Sequence, residues 1–170
     1  MSNVVDWEAL ARQLGAFEDG EIYSSRMAKQ AIEILLGEEI FQSAVAYYIS
    51  GQPGNELARF VLWQIRPWSA MKHCYDIYKS EEDVDIKRDA IELLRVVADR
   101  RALGWVGEFL DDPDKGIQIW GIGLLDQLLC SDLIEPEEAE FFLKRAENHN
   151  NPGVRQKAEF VREYLKDGTQ

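Results

Sequence analysis

Apolar residues along this chain recur every three or four positions and almost never alternate, a spacing that predicts helices and no sheet. Trp7, Leu10, Ala11 and Leu14 share one face of a first helix that Gly15 is placed to end. Five later segments then repeat one another: Ser24 to Leu36, Asn55 to Ile65, Asp85 to Leu94, Ile117 to Leu125 and Gly153 to Val161. A small or short residue recurs in them at Ala31, Val61, Ala90, Gly121 and Ala158, at intervals of 30, 29, 31 and 37 residues. Second helices are predicted between them, over roughly 38–49, 68–79, 101–110 and 137–147. The longest interval holds an extra loop, Cys130 to Pro136, with Pro136 placed to open the next helix.

One amphipathic pair cannot bury its apolar stripe alone, so neighbouring pairs must stack and share a core. Ala28, Ala31, Ile32 and Leu35 form one such stripe. Leu57, Ala58, Val61, Leu62 and Ile65 form the next, and Ala90, Leu93, Leu94 and Val97 a third. Ala or Gly at the recurring position lets adjacent helices approach closely. The expected fold is all-α: an α-solenoid (superhelix) of about five helix pairs with an N-terminal capping helix. It forms a single domain over 1–170, with the cap at 1–20, repeats at 21–52, 53–80, 81–112 and 113–150, and a C-terminal capping helix at 151–170. Periodicity turns Arg155, Lys157, Arg162 and Lys166 of that last helix outward.

The stretch Asp85-Ile86-Lys87-Arg88-Asp89-Ala90 is followed by Leu93-Leu94, by Ala98-Asp99-Arg100-Arg101-Ala102-Leu103 and by Phe109-Leu110-Asp111-Asp112-Pro113-Asp114. Together they resemble a HEAT repeat of the short type. Asn151-Pro152-Gly153-Val154-Arg155 with Ala158 repeats the opening. The resemblance covers 85–128 and 151–165 best, 24–80 less closely and 1–20 not at all. It implies HEAT-like pairs whose second helices line a concave surface. The short type is associated with bacterial scaffold proteins and with phycobilisome lyase-like repeats, so a bilin lyase-like action on a phycobiliprotein is the alternative it implies.

Charge narrows the partner. Nineteen Lys and Arg stand against 31 Asp and Glu in 170 residues, a net charge of −12. Such a surface repels phosphate, so neither nucleic acid nor a membrane is an expected partner, and a basic protein is. The same balance argues against the DNA-lesion enzymes built from HEAT-like helices, which need a basic groove. Two cysteines, Cys74 and Cys130, lie in helical patterns and fit a reducing cytoplasm. No secretory signal is legible at the N-terminus, so a cytoplasmic protein is expected.

The motifs with chemical meaning mostly dissolve. Asp111-Asp112-Pro113-Asp114-Lys115-Gly116 fails the calcium-loop spacing, since a loop opened at Asp112 puts Ile117 sixth and Gly123 twelfth, and reads as a capping turn. The acidic runs Glu81 to Asp85 and Glu135 to Glu140 sit at helix starts, where they suit the helix dipole and could also dock a partner's cations. His73 and Cys74 are neighbours about 100° apart on a helix and form no nucleophile–base pair, and His149 reads as a solvated loop residue. No nucleophile elbow, phosphate loop or zinc motif is present, so no catalytic residue, metal or cofactor is assigned.

Aromatic residues carry the sharper signal. Trp7, Trp63 and Trp120 lie on or beside apolar stripes, whereas Tyr47, Trp105 and Phe141 fall off the stripes of their second helices. Those three either fill inter-repeat packing or anchor a partner. The candidate concave-face set is Tyr47, Lys72, His73, Asp76, Trp105, Glu108, Glu138, Phe141 and Arg145. The expected role is a non-catalytic protein-binding module, in its concrete version an immunity-type inhibitor of a cationic toxin.

Overall fold

The computed structural model describes Asp6 and residues 26–167, so the helix predicted from Trp7 to Gly15 and the cap at 1–20 lie outside the described residues. Nine α-helices follow within them: α1 Arg26–Leu36, α2 Glu38–Ile49, α3 Asn55–Ile65, α4 Trp68–Ser80, α5 Val84–Val97, α6 Val106–Leu110, α7 Lys115–Cys130, α8 Pro136–Glu147 and α9 Pro152–Asp167. A 3₁₀ helix, Arg100–Trp105, leads into α6. No strand occurs among the described residues.

Local chemistry sets these bounds. Asp83 precedes α5 and accepts from the backbone N–H groups of Asp85 and Ile86 at 2.8 and 3.3 Å. Asp114 does the same for α7 through Gly116 and Ile117, at 2.9 and 3.0 Å. Asn151, just ahead of α9, accepts from the Gly153 N–H at 3.0 Å. These three stand at the spacing of Ala90, Gly121 and Ala158, so the cap and the small residue recur together. Pro136 opens α8, and Glu135 and Glu138 close a capping box around it. Helix α4 has no cap of its own. Glu33 of α1 supplies one, accepting from the Ser69 N–H at 2.8 Å and the Trp68 N–H at 3.2 Å.

The first helices of the pairs pack one on the next: α1 on α3, α3 on α5, α5 on α7 and α7 on α9. Second helices follow beside them, α2 against α4 and α6 against α8. The apolar stripes face inward as the spacing predicts. Ala58, Val61, Leu62, Ala90, Leu93, Leu94, Val97, Ala158 and Val161 are fully buried, while Leu57 is half-buried. Gly121 of α7 is the tightest approach: a Cβ there would stand 2.6 Å from Phe109 Cβ on α6.

Polar side chains tie the layers together. Glu92 of α5 accepts from Tyr48 Oη of α2 at 2.7 Å, from Arg59 of α3 at 3.0 Å and from Arg95 at 3.1 Å. Burial works to raise the Glu92 carboxyl, but the hydrogen bonds from Arg59 and Tyr48 outweigh it and hold it below its ordinary value. Arg88 of α5 grips the Asp114 carboxylate with two nitrogens, at 2.9 and 2.6 Å. That guanidinium, more than the backbone donors, lowers Asp114 to about 2.

Three expectations need correction. Leu35, expected on the α1 stripe, is 83% exposed, and its neighbour Ile34 is exposed too; Ile32 makes the contact with the core instead. Trp63, expected beside the core, is more than one-third exposed and meets Phe60 edge-on. Three of the four cations of α9 turn inward: Lys157 pairs with Asp126 of α7, Arg162 pairs with Glu140 and Glu147 of α8, and Arg155 donates to the His149 and Asn150 carbonyls, while Lys166 is exposed as expected. Periodicity fixes where a Cα sits on the wheel, but a long cationic side chain swings sideways to the nearest buried-edge carboxylate.

Candidate functional site

The candidate residues all lie on the second helices, and the structure sorts them by what they touch. Trp105 ends the 3₁₀ helix and is clasped between two aromatic rings of α4. Tyr75 stacks on it at 4.2 Å and 7°, and Trp68 at 5.4 Å and 19°. The Arg101 guanidinium lies 4.0 Å over Trp68, and Lys79 Nζ lies 5.9 Å from the Tyr75 ring. An aromatic column with cations at its ends thus joins α4 to the next pair, and Trp105 fills inter-helix packing instead of facing solvent. Trp68 and Tyr75 went unassigned to this role, although their seven-residue spacing puts them on one face of α4.

Glu108 is drawn into the same junction, accepting from Tyr75 Oη at 2.6 Å and from Lys79 Nζ. Burial pushes its carboxyl up, but the Lys79 and Tyr75 hydrogen bonds prevail and lower it. Tyr47 is half-buried against the core and donates to the Pro53 carbonyl at 2.7 Å, which fixes the α2–α3 turn. Lys72 and Asp76 pair with each other one turn apart at 2.7 Å, both exposed. His73 is half-buried beside them, and Cys74 is fully buried, where desolvation pushes its thiol far above the ordinary range and keeps it unreactive.

On α8 the three candidates separate. Glu138 belongs to the capping box and takes a 2.6 Å hydrogen bond from Arg100. Arg145 donates to the Gly107 carbonyl at 3.3 Å and pairs with Asp111. Phe141 is 69% exposed and touches Phe142 edge-on at 5.3 Å. It borders an open depression of about 590 Å³ shared with Asp111, Lys144, Arg145 and the Asn148–Asn150 loop. His149 is a working part of that loop: its Nδ1 accepts from the Asn151 N–H at 3.0 Å while Nε2 faces the Leu110 carbonyl at 2.9 Å. The ring therefore carries its proton on Nε2 and pins the loop to the end of α6, whereas the sequence predicts a solvated loop residue.

The candidate residues are thus spread over successive second helices, where only Lys72 and Asp76 meet each other and the other charges find partners outside the set. Lys72 with Asp76, Lys79 with Glu108, Arg100 with Glu138 and Arg145 with Asp111 form four closed pairs. Phe141 remains as the exposed apolar group. Among the described residues no helix is long and apolar enough to cross a membrane, and no three His, Cys, Asp or Glu side chains are grouped to hold a metal ion. No protein-family model, curated protein or solved structure matches this chain.

Proposed function

We propose that this chain is a short α-solenoid of HEAT-like helix pairs that acts as a non-catalytic binding module for a basic protein, in its concrete form an immunity-type inhibitor of a cationic toxin. The observation that carries the reading is Phe141, a large apolar side chain left 69% exposed beside an open depression, on a chain of net charge −12. An exposed aromatic set among charges is the composition of an interface anchor, and the net charge of −12 over the whole chain favours a cationic partner over phosphate. The successive packing of first helices supports the solenoid, since each layer shares its apolar side with the next.

Affinity capture on the immobilised full chain tests it, with bound proteins released by a salt gradient and their isoelectric points measured. Enrichment of basic proteins that elute as salt rises, reduced by Phe141→Ala, is the expected result. A captured set no more basic than the input, or one indifferent to Phe141→Ala, contradicts the reading. An inhibitor of a cationic toxin must in addition block its enzyme at one-to-one stoichiometry.

A further inference from the structure

Helix α9 carries two stripes. One side buries Val154, Ala158 and Val161 and rests Leu165 on the core, packing α9 onto α7 and α8. The other side presents Gln156, Glu159, Phe160, Glu163 and Tyr164, at spacings of three, four, seven and eight residues from the first, and all five are exposed. Such spacing aligns them along one face. Phe160 is 54% exposed and Tyr164 45%.

Three of the four cations of α9 are engaged by other elements, and the fourth, Lys166, is exposed three residues beyond Glu163. Lys157 Nζ lies 2.6 Å from Asp126, Arg162 Nε lies 2.6 Å from Glu147 while its NH1 reaches Glu140, and Arg155 is spent on loop carbonyls. Glu159 and Glu163 are left on the outer face one turn apart, with no ion pair to a cation among the described residues. Like charges at that spacing weaken a helix on their own. One face of the Phe160 ring carries an ammonium, Lys157 Nζ at 4.6 Å from its centroid, and the 54% exposure of the residue leaves further ring surface to an incoming cation.

We infer that this outer stripe of α9 is a docking surface for a lysine- or arginine-bearing segment of a protein partner. The inference rests on the basic-partner reading and names where the partner's cations land. Its chemistry is an aromatic strip flanked by two carboxylates without an ion pair among the described residues, which offers cation–π contacts and ion pairs to the same incoming side chains. A second copy of this chain is disfavoured as the occupant, because a two-fold contact through α9 sets the Glu159–Glu163 face against the same acidic face of the other copy on a chain of net charge −12. Phosphate-bearing partners meet the same repulsion.

The probe is a short amphipathic helical peptide of leucine and lysine only, with a twin in which glutamate replaces lysine, titrated into the full chain and followed by amide NMR. The lysine peptide is expected to shift Gln156, Glu159, Phe160, Glu163 and Tyr164, with shifts that fade as salt rises, and the glutamate twin to shift nothing. The double variant E159K/E163K and the single variant Phe160→Ala each weaken the lysine peptide about tenfold without lowering the melting temperature. If the peptide instead perturbs the Phe141 depression and spares α9, the stripe is overturned and the basic-partner reading survives. Equal binding of both peptides, or of neither, overturns the charge argument in both. A concentration-dependent dimer abolished by Phe160→Ala overturns the assignment of the occupant.

Discussion

Gly121 offers the sharpest perturbation of the packing. It lies mid-helix in α7, where intrinsic propensity favours Ala over Gly by roughly 1 kcal/mol, so an unpacked site would be stabilised by Gly121→Ala. The structure reverses that sign. The added Cβ would stand 2.6 Å from Phe109 Cβ and 3.4 Å from the Phe109 carbonyl carbon. Phe109 is itself fully buried, held edge-on by Tyr78 at 5.1 Å, and the clashing atom is fixed to the backbone of α6. Relief therefore requires α6 and α7 to move apart, and overpacking of this kind costs about 1–3 kcal/mol. The net expectation is a loss of up to about 2 kcal/mol once the propensity gain is subtracted, read as a lower urea midpoint with an unchanged slope. Gly104→Ala is the matched control. A Cβ at Gly104 meets nothing within 4 Å, so that variant should be neutral or slightly stabilised. A Gly121→Ala protein more stable than wild type, or equal changes at both glycines, would show that the close approach of α6 to α7 is not what the small residue serves.

Three other outcomes follow from the same contacts. Trp105→Ala removes a half-buried ring stacked on both faces and should cost about 2–4 kcal/mol, seen as a fall in melting temperature; a melting temperature unchanged from wild type would return Trp105 to the solvent-facing set. Glu92→Gln keeps the shape but strips the charge that Arg59 and Arg95 share, so a loss of about 2 kcal/mol in urea unfolding is expected, and no loss would dismiss that carboxylate as an inter-layer tie. Asp114 has a folded pKa depressed to about 2 by Arg88, so its contribution is present above the ordinary carboxylate pKa and is lost as pH falls through the folded value. Stability measured from pH ~5 down to pH ~2 should therefore decline less steeply in Asp114→Asn than in wild type; parallel curves would rule out that linkage.

The helices were legible from residue spacing because burial, capping and turn chemistry agree along the chain. Asp83, Asp114 and Pro136 mark starts at the places the structure puts them, and the small residues at 61, 90, 121 and 158 are all buried. The candidate site was less legible, and Trp105 shows why. The wheel drawn over 101–110 assumed 3.6 residues per turn, but Arg100–Trp105 is a 3₁₀ helix wound at about three. Each residue of that segment is rotated further than an α-helix allows, and Trp105 swings onto Trp68 and Tyr75. The turn responsible follows Ala98, held at φ 42°, and Asp99, whose side chain caps the Arg101 N–H at 2.9 Å. Neither feature has a periodicity to read. Phe141 sits on a regular helix, so its outward direction was predictable; the closed ion pairs around it were not, because Arg100 and Arg145 find carboxylates across 38 and 34 residues of sequence.

The central claim, that an acidic surface with exposed aromatics receives a cationic protein, is tested most directly by the association rate of the captured partner across salt concentration. From about 50 mM to about 500 mM salt the screening length shrinks severalfold, so the on-rate should drop tenfold or more while the off-rate changes little. An on-rate that stays level across that range would contradict it.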